Sequence, residues 1–131
     1  MKKLLLYALF ILLVFVACSE GDDYYVRRTD RVNIVEFTTP DTTLVTDTID
    51  LYAKAQMDNG CWRDLFFVFN ELSDSAAYLS AYGTFESYGS CPDIKVTKDT
   101  LIEFSPSREG IYIFYIARNY YQLIQDTLIV E

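Results

Sequence analysis

Three side chains in this sequence carry reactive sulfur, Cys18, Cys61 and Cys91, and the chain has no histidine to set beside them. That excludes Ser-His-Asp and Cys-His nucleophiles, His-ligated zinc and imidazole acid–base chemistry. Cys61 and Cys91 lie thirty positions apart. A redox pair would want a Cys-x-x-Cys spacing, and half of a metal site would want the missing histidines, so no metal or other cofactor is expected. In an oxidising compartment the leading reading is a structural disulfide. Closing a loop of that length stabilises a fold by roughly 3–4 kcal/mol on the chain-entropy model, a large share of a typical 5–15 kcal/mol. Cys18 is then left over, and an odd thiol in an exported chain requires its own explanation. The carboxylates Asp64 and Glu86 are the best candidates for acid–base work, but nothing in the sequence pairs them. There is no Gly-rich phosphate loop and no EF-hand spacing.

The explanation for Cys18 stands immediately before it. Lys2 and Lys3 precede an apolar run of fourteen residues, Leu4–Ala17, and Ser19-Glu20-Gly21-Asp22-Asp23 follows. A charged start, a short apolar core and a small residue at the cut mark a secretory leader over 1–17. As a helix the run would span about 21 Å, short of the roughly 30 Å hydrocarbon core. A permanent transmembrane helix is therefore the weaker reading. Phe15-Val16-Ala17-Cys18 resembles a bacterial lipobox, with Phe15 where Leu is usual. That resemblance implies cleavage before Cys18, a diacylglycerol on its sulfur and membrane lipid as its first partner. The acidic run after Cys18 is similar to the export signal that carries some Gram-negative lipoproteins to the outer face of the outer membrane. The implied location is the outer membrane, lipid-anchored and exposed at the cell surface. On its own chemistry the acidic stretch is a solvated tether over 18–30. Extended, its last twelve residues reach about 40 Å.

Removing the leader leaves nine basic and nineteen acidic residues, a net charge of −10. That sign disfavours nucleic acid and peripheral attraction to anionic lipid. Residues 31–131 have the length of one domain.

The elements that must position any site read as short strands. Arg31–Phe37 is β-branched and aromatic, and Thr48–Met57 alternates apolar with polar residues. Asp58-Asn59-Gly60 reads as a tight hairpin turn, which makes Cys61–Leu72 its partner strand. The run Leu65–Phe69 is apolar on both faces and reads as a central strand. Ala76–Phe85 follows, with Tyr78, Ser80 and Tyr82 alternating with Leu79, Ala81 and Gly83. Short strands are expected at 94–97 and 101–104, and longer ones at 111–118 and 123–130. Seven or eight strands without an amphipathic helix predict an all-β fold, a β-sandwich.

At Gly110-Ile111-Tyr112 the sequence resembles the corner before the penultimate strand of immunoglobulin-like domains. The resemblance implies that the Tyr112 hydroxyl ties back to the preceding turn. Phe114 stands where the antibody pattern has a cysteine, so an immunoglobulin-like β-sandwich of about seven strands is implied without the inter-sheet disulfide. The wider pattern of Asn59-Gly60-Cys61, Ala81-Tyr82-Gly83, Cys91, Pro106 and Asp126–Val130 resembles a group of small, uncharacterised bacterial surface lipoproteins. That likeness brings no activity with it.

Eleven Tyr, nine Phe and one Trp are many for this length. Core filling and cross-strand pairing account for most of them. Trp62, Tyr82, Tyr88, Tyr120 and Tyr121 fall in or near predicted loops and form the candidate binding surface. Asp-Thr or Asp-Ser before a small or apolar residue recurs, placing Thr42, Thr48, Ser75, Thr100 and Thr127 in a pattern similar to a bacterial O-glycosylation sequon. Asp-Thr also simply begins strands. The expectation is a non-enzymatic surface module that binds a protein or glycan or supports envelope assembly, with a glycan-binding accessory of nutrient uptake as the alternative.

Overall fold

The computed structural model describes residues 24–131. The leader, Cys18 and the acidic residues Glu20, Asp22 and Asp23 lie outside the described residues. Those described form eight strands and no helix: β1 (Val26–Thr38), β2 (Thr42–Thr43), β3 (Ile49–Met57), β4 (Trp62–Ser73), β5 (Ala76–Ser87), β6 (Val96–Phe104), β7 (Gly110–Ala117) and β8 (Leu123–Val130). The all-β expectation holds. Hydrogen bonding runs unbroken in the order β2-β8-β7-β5-β1-β3-β6, with β4 beside β5, so the sheet is mixed and curled over one core.

The strand β5 explains the curl. It has only two edges but three partners. β4 takes one edge along almost its whole length. The other edge is shared end to end: β7 runs parallel to Ala76–Leu79, and β1 runs antiparallel to Ala81–Ser87. The two strands therefore approach each other head-on at Ser80. Both must turn away. β1 leaves β5 at Val32, bulges between Ile34 and Glu36 and pairs with β3, while β7 reverses into the hairpin with β8. One hydrogen bond marks the meeting point, from the Ile34 N–H to the Arg118 carbonyl, 3.1 Å.

Folding the sheet over at β1 brings its inner faces together. Val32 and Ile34 of β1, Leu51, Ala53 and Ala55 of β3, Leu79 and Ala81 of β5, Phe114 and Ile116 of β7 and Leu128 of β8 are all buried. Phe104 stands edge-on to Phe114 and to Tyr112, with ring centroids 5.3 and 5.5 Å apart, and Phe37 meets Phe114 at 5.8 Å. The alternation read in β3 is the one observed, with Leu51, Ala53 and Ala55 inside.

Several local expectations change. β1 begins at Val26, so five residues assigned to the tether are paired with β5. The turn at Asp58-Asn59-Gly60 does not make a hairpin, because β3 pairs with β1 and β6 and never with β4. Instead the Asn59 side chain accepts the Cys61 N–H and the Gly60 N–H reaches the Pro92 carbonyl, an Asx turn that hands the chain across the core. β4 is an edge strand, paired with β5 alone. A bulge between Arg63 and Phe66, with Asp64 at φ 51°, lets both Trp62 and Leu65 face inward. The outward face is covered in part by Phe66 stacking on Tyr82. Residues 96–104 form one continuous strand where two were expected, since the whole length finds partners on β3. β2, a two-residue strand parallel to the end of β8, was not anticipated.

Cys61 and Cys91 are joined, with Cα atoms 5.2 Å apart. The bond ties the start of β4 to the loop between β5 and β6, reinforced by the Glu86 N–H to the Cys61 carbonyl at 2.9 Å.

Candidate functional site

β1 and β7 meet head-on along one edge of β5, and the hairpin after β7 stands beside that meeting point. The Arg118 N–H reaches the Gln122 carbonyl at 2.9 Å, closing that hairpin tightly. Inside it the Asn119 side chain accepts the Tyr121 N–H at 2.9 Å. Tyr120 and Tyr121 are thus lifted off the sheet at its tip, 58% and 100% exposed. Between the hairpin and the sheet lies a shallow basin of about 150 Å³, walled by Arg31 from β1, Tyr78 from β5 and Asn119, Tyr120, Tyr121 and Gln122 from the hairpin.

Arg31 is the hinge of this arrangement. It sits opposite Tyr82 across the β1–β5 pair, and its guanidinium lies 5.7 Å from the Tyr120 ring centroid, a cation–π contact. Hydrogen bonds from Arg31 and then Ser80 favour the Tyr82 phenolate, and they hold the Tyr82 hydroxyl below its ordinary value, aided by the Arg31 charge and opposed by partial burial. Tyr82 in turn stacks on Phe66, centroids 5.7 Å apart. A continuous line of Phe66, Tyr82, Arg31 and Tyr120 therefore leads across the sheet into the basin. Among the described residues, no carboxylate lines the basin. Among the described residues, no Asp or Glu forms an ion pair with Arg31.

The five aromatics expected to form a surface part company. Tyr82, Tyr120 and Tyr121 converge on this line and basin. Trp62 does not belong to any surface: it is 7% exposed and packs edge-on against Phe85, turned inward by the bulge at Asp64. Tyr88 is exposed but stands at the far end of β5, about 20 Å from Tyr82 at strand spacing, paired with Tyr25. Arg31, Tyr78, Asn119 and Gln122 were not anticipated. Tyr78 had a signal, since it shares the outward phase of β5 with Tyr82. Arg31 had none, because only the register of β1 on β5 places it there.

The carboxylates Asp64 and Glu86 are both engaged by Arg63, whose guanidinium pairs with each. Of the Asp-Thr and Asp-Ser positions, Thr42 and Thr127 are exposed on β2 and β8. Thr48 is exposed but its hydroxyl shares a 2.8 Å hydrogen bond with Ser105. Ser75 and Thr100 are half-buried.

Compared with models of protein families, with curated proteins and with solved structures, the chain finds no match in any of the three.

Proposed function

We propose that this domain is a non-enzymatic binding module, held at the outer surface of a Gram-negative outer membrane by a lipid on Cys18, and that its ligand is a saccharide laid in the Tyr120–Tyr121 basin. The observation that carries the reading is the company these tyrosines keep. Tyr120 and Tyr121 are exposed beside Arg31, Asn119 and Gln122. A sugar ring offers an apolar C–H face and a rim of hydroxyls. Rigid tyrosine rings supply contact area at low entropic cost, and guanidinium and amide groups supply donors and acceptors for the rim. The basin falls below the roughly 300–1,000 Å³ of clefts that enclose drug-sized ligands, which suits one or two rings of a longer chain held openly. Lipid anchoring and export rest on Cys18 and on Glu20, Asp22 and Asp23. The immunoglobulin-like reading of the sheet rests on the Tyr112 corner.

A second reading, docking of a protein, draws on one observation: Ile111 and Ile129 face each other across β7 and β8 and are 63% and 47% exposed. They lie on the same sheet but do not line the basin.

The test is retention of the full chain, purified in detergent, on an immobilised panel of oligosaccharides. The wild type binds at least one of them, and Tyr120→Ala with Tyr121→Ala weakens that binding about tenfold or more, in line with anchor aromatics at binding sites. Both rings are exposed, so the fold should survive their loss. Retention unaffected by the double substitution, or no retention on any member, would reject the basin as a saccharide site.

A further inference from the structure

The domain is strongly acidic, yet the walls of the basin contain one cation and no carboxylate. Among the described residues, none of the many Asp and Glu side chains lines this space. Arg31 is fixed there by neighbours that leave its charge uncancelled. Its guanidinium carbon lies 5.7 Å from the Tyr120 ring centroid, and Tyr82 stands opposite it across the β1–β5 pair. A guanidinium has five N–H donors in a rigid fork. No Asp or Glu among the described residues pairs with that fork, and its geometry matches a carboxylate. The Asn119 side-chain oxygen accepts the Tyr121 N–H, which shapes the hairpin.

Resting on the saccharide reading above, we infer that the basin selects sugars bearing a carboxylate, uronic-acid residues of an acidic polysaccharide, with Arg31 holding the carboxylate and Tyr120 and Tyr121 holding the ring. The surrounding negative field sharpens the choice. An acidic polymer is repelled by the net charge of the domain as a whole, and Arg31 in the basin offers it an uncancelled positive charge. A neutral sugar gains the tyrosine contacts but leaves the fork unfilled.

The experiment uses the full chain in detergent and titrates it with oligosaccharides of galacturonic, glucuronic and mannuronic acid, each beside its carboxyl-reduced counterpart. The two members of a pair differ only at the carboxylate. At least one acidic member should bind about tenfold or more tighter than its reduced partner, the usual scale for a hydrogen bond to a charged group. Arg31→Gln should bring the two within about twofold, Arg31→Lys should keep part of the preference, and Arg118→Gln, an exposed arginine outside the basin, should leave it unchanged. Should Arg31→Gln fail to fold, the wild type still decides: the ratio between acidic and reduced members should shrink as salt rises from about 0.05 to 0.5 M, because screening acts on the charged member alone. Equal binding of acidic and reduced members would overturn the inference and leave the saccharide site standing. Binding of neither member of any pair would overturn the inference, and absence of binding across the wider panel would remove the saccharide reading with it.

Discussion

The Tyr112 hydroxyl accepts the backbone N–H of Ser107 at 2.9 Å, from the start of β7 back to the turn that precedes it. The Arg108 N–H reaches the same oxygen at 3.1 Å, and the Ser107 hydroxyl lies 3.3 Å away. The ring itself is buried against Phe104. One side chain thus anchors the core at one end and the five-residue turn between β6 and β7 at the other. Gly110, at φ 128°, lets the chain swing into β7 where an L side chain would be strained.

Removing only that oxygen is the direct check. Tyr112→Phe keeps the ring and strands two backbone N–H donors in a partly buried turn. A loss of about 1–2 kcal/mol is expected for such donors, or a drop of roughly 4–16 °C in melting temperature for a domain of this size. Calorimetry on the variant measures it. An unchanged melting temperature would mean that the corner contributes nothing to stability.

Gly83 tests the middle of the fold. A Cβ built there would lie 2.5 Å from Leu65 Cδ2, 3.1 Å from Val32 Cγ1 and 3.3 Å from Trp62 Cε3. β1 and β4 flank β5 at this point, and their side chains close over the glycine. Gly83→Ala should cost about 1–3 kcal/mol by overpacking, readable in urea unfolding as a lower midpoint with the same slope. Equal or greater stability would contradict the packing described.

What the sequence disclosed, and what it hid, divides by the range of the interaction. The Tyr112 corner was legible because turn and tyrosine lie five residues apart. The inward phase of β3 was legible because alternation is a local property. The partner of β3 was not, because Asn59-Gly60 is equally suited to a hairpin and to the Asx turn that sends the chain across the core. Trp62 was misplaced for a related reason: a bulge at Asp64 resets which side chains face inward, and nothing in Trp62-Arg63-Asp64 announces it. The candidate site was half legible. Tyr120 and Tyr121 stand out as adjacent tyrosines before a strand, but Arg31 reaches them only because β1 and β7 share one edge of β5. That fact belongs to strand pairing across more than eighty positions of chain.

The disulfide ties the start of β4 to the loop between β5 and β6, beside the Gly60–Pro92 and Glu86–Cys61 backbone hydrogen bonds. Replacing Cys61 and Cys91 together by Ala should cost roughly 3–4 kcal/mol and lower the melting temperature by about 12–30 °C. The far-ultraviolet β signal should persist at low temperature, because the buried strands on both sides of the core remain. Quantitative thiol labelling of both cysteines in the native oxidised protein would refute the bond.

Anchoring is checked at Cys18. Cys18→Ala should leave the precursor unprocessed and unlabelled by a fatty-acid probe. Replacing Glu20, Asp22 and Asp23 together by Ala should leave the protein lipidated but hidden from protease added to intact cells. Surface exposure unchanged by the triple substitution would reduce the acidic run to a solvated tether.

Tyr82 offers a titration that reads the site directly. Hydrogen bonding to Arg31 and Ser80 and the Arg31 charge lower its hydroxyl below the ordinary tyrosine value. The folded protein therefore releases this proton before the unfolded chain does. By linkage, the added stability is fully present above the unfolded value and is lost as pH falls through the folded value. Tyr52 moves the other way, raised by burial and by the carboxylates of Glu36 and Asp99. Ultraviolet difference titration should thus show one tyrosine ionising ahead of the others, and Tyr82→Phe should remove that early step. Arg31→Gln should carry the step up toward the ordinary range, since the largest cause of the shift goes with the guanidinium. An early step that survives Arg31→Gln would separate Tyr82 from Arg31 and dissolve the line of side chains that leads into the basin.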